Sequence, residues 1–147
     1  METQVSYKRL IDEHARIDER TQLLTELVGA AEPDVPAVLI ALSDLSCELT
    51  QHLAHEDSFI YPRMIAARDT ELAESASAFV HDFAALRSDW CLYLTEWTSD
   101  AIAGDWQTFQ QETRAILARL ARRVRAEDEL LYPAAFRNGL IPLRGAG

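Results

Sequence analysis

The stretch HLAHEDSFIYP, residues 52 to 62, puts two histidines and two acids in the middle of a run that otherwise reads as a buried helix. Buried polar side chains cost free energy unless a partner satisfies them. The partner of His52 and Glu56 is therefore the question that decides what this chain does: a metal ion, other side chains, or water.

Working outward, sparse glycines and prolines mark the breaks. One helix spans about Thr3 to Ala31 and stops at EPDVP, residues 32 to 36. A second starts near Pro36 with Asp34 as its cap and runs through the quoted stretch, where Pro62 ends or kinks it. A third follows RDT at 68 to 70 and reaches about Ala103, with Gly104 as its C′ residue. Asp105 caps a fourth, which runs to about Pro133. No stretch alternates with period two. The expectation is an all-α, antiparallel up-down-up-down four-helix bundle over residues 1–136, with 137–147 as a C-terminal tail.

The register of such a bundle turns polar groups inward. The inner series are Leu10, His14, Ile17, Thr21, Leu24, Val28 in the first helix and Val38, Leu42, Leu45, Leu49, His52, Glu56, Phe59 in the second. In the fourth helix the series is Phe109, Thr113, Ile116, Leu120, Arg123, Glu127, Leu130. His14, His52, Glu56, Arg123 and Glu127 thus interrupt apolar stripes on three helices. His55 and Asp57 fall one step off the stripe, at the rim or exposed. The third helix has Phe79, Phe83, Leu86, Trp90, Tyr93 or Leu94, and Trp97 inward, and His81 lies about 200° around from Phe79, on the surface.

A repeat reinforces the pattern. EDSFIYP (56 to 62) and EDELLYP (127 to 133) share E-D-x-x-x-Y-P at an offset of 71 (127 − 56). The two copies imply a two-fold-like helix pair with Glu56 facing Glu127.

Composition narrows the function. The chain has 147 residues with a net charge of −10, which argues against nucleic acid. The basic run RLARRVR (119 to 125) reads mostly as a solvated helix face. No apolar run has the length of a membrane span and no signal-peptide core opens the chain, so the expected location is cytoplasmic, with no membrane partner. Cys47 and Cys91 read as small core residues. Trp90, Trp97 and Trp106 with Tyr93 read as core; exposed, they would mark a protein-partner or homodimer surface. With no nucleophile–base pair, glycine-rich phosphate loop or H-E-x-x-H, the chain is not expected to be an enzyme.

His14, then H-x-x-x-E-D-x-x-x-Y-P at 52 to 62, then His81, then E-D-x-x-x-Y-P at 127 to 133 resembles the hemerythrin-like, or HHE cation-binding, domain over about residues 5 to 136. The resemblance implies a four-helix bundle holding a non-haem di-iron centre for O₂ binding, sensing or iron handling. It implies His14, His52, Glu56, His81 and Glu127 as ligands. The chain departs from that pattern at position 123, where R-x-x-x-E stands in place of H-x-x-x-E. Arginine offers no lone pair, and its charge opposes a second cation. Two outcomes stay open. His14, His52, Glu56 and Glu127 could hold one Fe²⁺, Zn²⁺ or Mn²⁺. Alternatively, Arg123 substitutes for the metal by pairing with Glu56 and Glu127 in a buried network. The second outcome would suit a metal-free interaction module, and residues 105 to 131 faintly resemble bacterial regulatory bundles that bind a sigma factor.

Overall fold

The computed structural model describes residues 5–144, which are helical nearly throughout. The expected helix start at Thr3 lies outside the described residues; helix α1 spans Tyr7–Val28, with the Ser6 hydroxyl accepting from the Arg9 amide. Asp34 caps α2 (Val35–His55) as expected, accepting from the Ala37 amide. After a π-helical turn at Glu56–Ile60, α3 (Tyr61–Ile65) continues the same rod. Asp69 caps α4 (Thr70–Glu96).

The third helix breaks earlier than expected. Trp97 leaves helical geometry, the Thr98 side chain accepts from the Ala101 amide, and a short α5 (Ser99–Gly104) follows. Gly104 therefore closes α5 instead of standing beyond a continuous helix. A threonine cap followed by Asp100 in the first turn is a restart signal that competes with helix continuation. Asp105 caps α6 (Trp106–Ala126), a second π-helical turn covers Glu127–Leu131, and α7 (Tyr132–Arg137) completes that rod.

Neither Pro62 nor Pro133 ends its rod. In each case the residue before the proline donates its amide five positions back, Tyr61 to the Glu56 carbonyl and Tyr132 to the Glu127 carbonyl. The wider turn places one extra residue ahead of the proline and shifts the phase of everything beyond it. Phe59 and Leu130, expected inward, are corrected by this shift. Ile60 and Leu131 take the core positions at 1% and 3% exposure, and Leu130 is 68% exposed.

The apolar interior falls into two clusters. One gathers Ile17, Leu24, Leu45, Leu49, Trp90 and Phe109; the other gathers Leu10, Ile60, Met64, Phe79, Leu131 and Ile141. Between them lies a buried polar layer formed by Glu13, His14, His52, Glu56, Arg123 and Glu127. The segment after Arg137 packs back on the start of α1. Ile141 is buried, and the amides of Tyr7 and Lys8 donate to the carbonyls of Pro142 and Leu143 at 2.8 and 2.9 Å.

Of the aromatic group, Trp90 and Tyr93 are buried, while Trp97 and Trp106 are half-buried and pack against Phe109. Cys47 and Cys91 are free and exposed, not core. Each stands off the inward stripe of its helix, two positions past Leu45 and one past Trp90. No helix among the described residues is long and apolar enough to cross a membrane.

Candidate metal centre

Each polar side chain reaches the layer because its helix is apolar on both sides of it. His14 lies between Leu10 and Ile17 of α1, and His52 follows Leu49 of α2, all of them buried. Arg123 and Glu127 follow Leu120 on the α6 rod, one helical turn apart.

The imidazoles meet at their Nε2 atoms, 2.9 Å apart. Glu127 Oε1 lies 3.0 Å from His14 Nε2 and 3.7 Å from His52 Nε2. Glu56 Oε1 lies 2.9 Å from His52 Nε2. The far nitrogens are committed outward: His52 Nδ1–H donates to Glu13 Oε1 at 2.9 Å and His14 Nδ1–H to Asp128 Oδ1 at 2.6 Å. A carboxylate only accepts, so these bonds put a proton on each Nδ1 and turn both Nε2 atoms to the centre. Glu13 also accepts from the half-buried His55 at 3.0 Å.

The repeated tyrosines close the other side. Tyr61 places its hydroxyl 2.7 Å from Glu56 Oε2 and also against Glu127 Oε2, with one proton for the two carboxylates. Tyr132 donates to Glu56 Oε2 at 2.8 Å, its oxygen 3.3 Å from each Nε2. Both tyrosines stand five residues after their glutamate, a spacing that the π-helical turns bring onto one face. Arg123 Nη2 donates to Glu56 Oε1 at 3.4 Å, and Arg123 Nε is 3.7 Å from Glu127 Oε2.

Charge is organised accordingly. Burial disfavours the His52 cation, yet the carboxylates of Glu56 and Glu13 outweigh it and raise its pKa to about 9. Burial likewise pushes the Glu56 carboxyl up, but His52, Arg123 and the Tyr61 hydroxyl bring it down to about 2. His14 goes the other way: burial and the charge of His52 lower its pKa despite Asp128. Burial and the Glu56 carboxylate drive both tyrosines far above the ordinary phenol range.

In the metal-free protein His52 thus carries a proton on Nε2, and His14 is neutral. One contact is then left unsatisfied. His14 Nε2 and Glu127 Oε1 are two acceptors 3.0 Å apart, with the other His14 proton already given to Asp128. A cation between them removes that conflict. The ligand atoms of His14, His52 and Glu127 all lie within 4.8 Å of one another. Donors bound at about 2.0–2.2 Å around one metal are separated by roughly 3–3.5 Å, so the spacing fits a single first-row cation.

The structure brings His14, His52, Glu56, Arg123 and Glu127 together in one buried layer, the clustering expected from their register. His81 does not join them: it is exposed on α4, as its register required, and the ligand position that the family resemblance implied for it is withdrawn. His55 and Asp57 are at the rim, as expected. Glu13 was missed because it sits one residue before the stripe position of His14, where a carboxylate reads as surface. The roles of Tyr61 and Tyr132 were missed because ordinary helical spacing turns residue i+5 away from its glutamate. The repeated Y-P was the available signal.

A search of curated proteins gives no match, and a search of solved structures gives none either. The family model described as the hemerythrin HHE cation-binding domain matches residues 5–135. With that match over nearly the whole chain, and a buried histidine–carboxylate layer whose spacing fits a cation, the chain belongs to the hemerythrin HHE cation-binding domain family.

Proposed function

We propose that this domain binds one metal ion, iron foremost, through His14, His52 and Glu127, with Glu56 beside them, and that it serves sensing, O₂ handling or iron handling. It acts as a binding domain, not an enzyme. The observation that carries this reading is the contact between His14 Nε2 and Glu127 Oε1, two buried acceptors aimed at each other at 3.0 Å. Bound iron would supply an exchangeable coordination position and a change of oxidation state. Glu13 and Asp128 hold the imidazoles in the tautomer that presents Nε2. Arg123 keeps a fixed positive charge against Glu56 and Glu127, which opposes a second cation and makes the centre mononuclear.

A second reading is supported by the same Arg123 contacts. The network of Arg123 and protonated His52 with Glu56 and Glu127 sets two positive charges against two carboxylates, which suits a metal-free regulatory module that binds a protein partner. Metal content by mass spectrometry, with the ultraviolet-visible spectrum, separates the two on protein expressed with iron and purified without chelator. About one metal per chain is expected. Two irons with oxo-bridge absorption would overturn the role given to Arg123, and no metal would leave the regulatory reading. Glu13→Ala is expected to weaken metal binding about 10–100-fold by freeing the His52 ring. Unchanged metal content under chelator competition would refute that role.

A further inference from the structure

A cleft of about 360 Å³ opens beside the polar layer, between α3 and α4. Its walls are apolar: Pro62, Ile65, Phe79, Val80 and Phe83 line it. Ile65 and Val80 are 43% and 37% exposed, so the walls run uncovered to the mouth. Apolar cavities of about 150 Å³ already admit benzene, so this one has room for a ring or a branched chain.

Two guanidiniums stand in the same cleft. Arg123 is only 5% exposed and lies 5.5 Å over the Phe79 ring and 5.7 Å over the Tyr61 ring. Its Nε has no hydrogen-bond partner among the described residues. Arg87 stands at the rim. The Asp57 carboxylate spans the pair, Oδ2 at 3.2 Å from Arg87 Nη1 and Oδ1 at 3.9 Å from Arg123 Nη2. A carboxylate seat between two arginines is therefore built, and a side chain of the protein holds it. That side chain is 44% exposed, and surface ion pairs of this kind contribute little, so Asp57 can leave for water at small cost.

We infer that the cleft between α3 and α4 binds a small organic carboxylate with a compact apolar body, its carboxylate replacing that of Asp57 between Arg87 and Arg123. With Asp57 swung out to water, the seat again holds one carboxylate between the two guanidiniums. The apolar body adds what Asp57 lacks, burial against Phe79, Phe83 and Val80. Guanidinium forks suit a planar carboxylate better than a single ammonium would. The inference rests on the cleft alone and does not depend on metal at the neighbouring histidines.

Benzoate is the probe, titrated into chelator-treated protein and followed by amide chemical shifts. Acetate lacks the apolar body and benzyl alcohol lacks the charge. Saturable benzoate binding with a Kd of about 0.1–5 mM is expected, mapping to residues around Phe83 and Val80. Arg87→Gln, an exposed change, should weaken it about tenfold, and Asp57→Asn, which removes the resident carboxylate, should strengthen it severalfold. Acetate and benzyl alcohol should each bind at least about tenfold more weakly. Equal binding of benzyl alcohol would mean an apolar cleft without an anion seat and would overturn the inference. So would benzoate shifts confined to the basic face around Arg122 and Arg125, or no saturation up to about 10 mM in both the natural chain and Asp57→Asn.

Discussion

Arg123 is the residue whose chemistry separates this chain from the pattern it resembles. Among the described residues its guanidinium is the one fixed cation beside two fully buried carboxylates, Glu56 and Glu127, at 3.4 and 3.7 Å. Arg123→Ala should therefore cost metal-free protein about 3–5 kcal/mol by leaving two buried carboxylates to the single His52 cation. Urea denaturation with an unchanged midpoint would reject that. The titrating pair beside it sets a pH window. His52, raised to about 9, contributes stability that is whole below about 6.5 and lost as pH rises through 9. Glu56, lowered to about 2, contributes stability that is whole above its ordinary range and lost as pH falls through 2. Both describe largely one shared interaction, of about 3 kcal/mol. Urea midpoints of metal-free protein should fall on either side of a plateau near pH 5–6.5. A midpoint as high at pH 9.5 as at pH 6 would mean that His52 is not held as a cation.

At the scale of the element, the two π-helical turns do what ordinary helix could not. Each lets a rod continue through proline and swings the tyrosine five positions on into the layer. Inserting one alanine after Ser58, an exposed residue inside the first turn, should advance the helical phase and rotate Tyr61 about 100° away from Glu56. The expected loss is about 2–4 kcal/mol together with the near-ultraviolet dichroism of the buried phenol. Ser58→Ala keeps the turn and should stay within about 0.5 kcal/mol. An insertion as stable as that substitution would show that the phase of the turn carries no structural role.

For the whole molecule, the arrangement is two apolar clusters with a polar layer between them, sealed at one end by residues 140–143. That closing segment is the last part of the described chain and shields the cluster containing Leu10. Removing residues 138–147 should cost about 2–4 kcal/mol, from Ile141 burial and the two amide bonds of Tyr7 and Lys8. A melting temperature equal to that of the full chain would mean that the segment only rests on the bundle.

Helix positions, the caps Asp34 and Asp105, the inward direction of His14, His52, Glu56, Arg123 and Glu127, and the outward direction of His81 all follow from local spacing. Each is a statement about one helix and its solvent side, and periodicity along a single chain segment contains it. The break at Thr98 was legible too, in a cap that competes with a long helix. What the sequence does not contain is the relation between helices. Glu13 becomes buried only because α2 presents His52 and His55 to it, and the two Nε2 atoms meet only because α1 and α2 pack in one register. The phase shift after Glu56 and Glu127 is likewise a tertiary outcome. A π-helical turn is costly alone and persists where two buried glutamates and two tyrosine hydroxyls satisfy one another across the bundle.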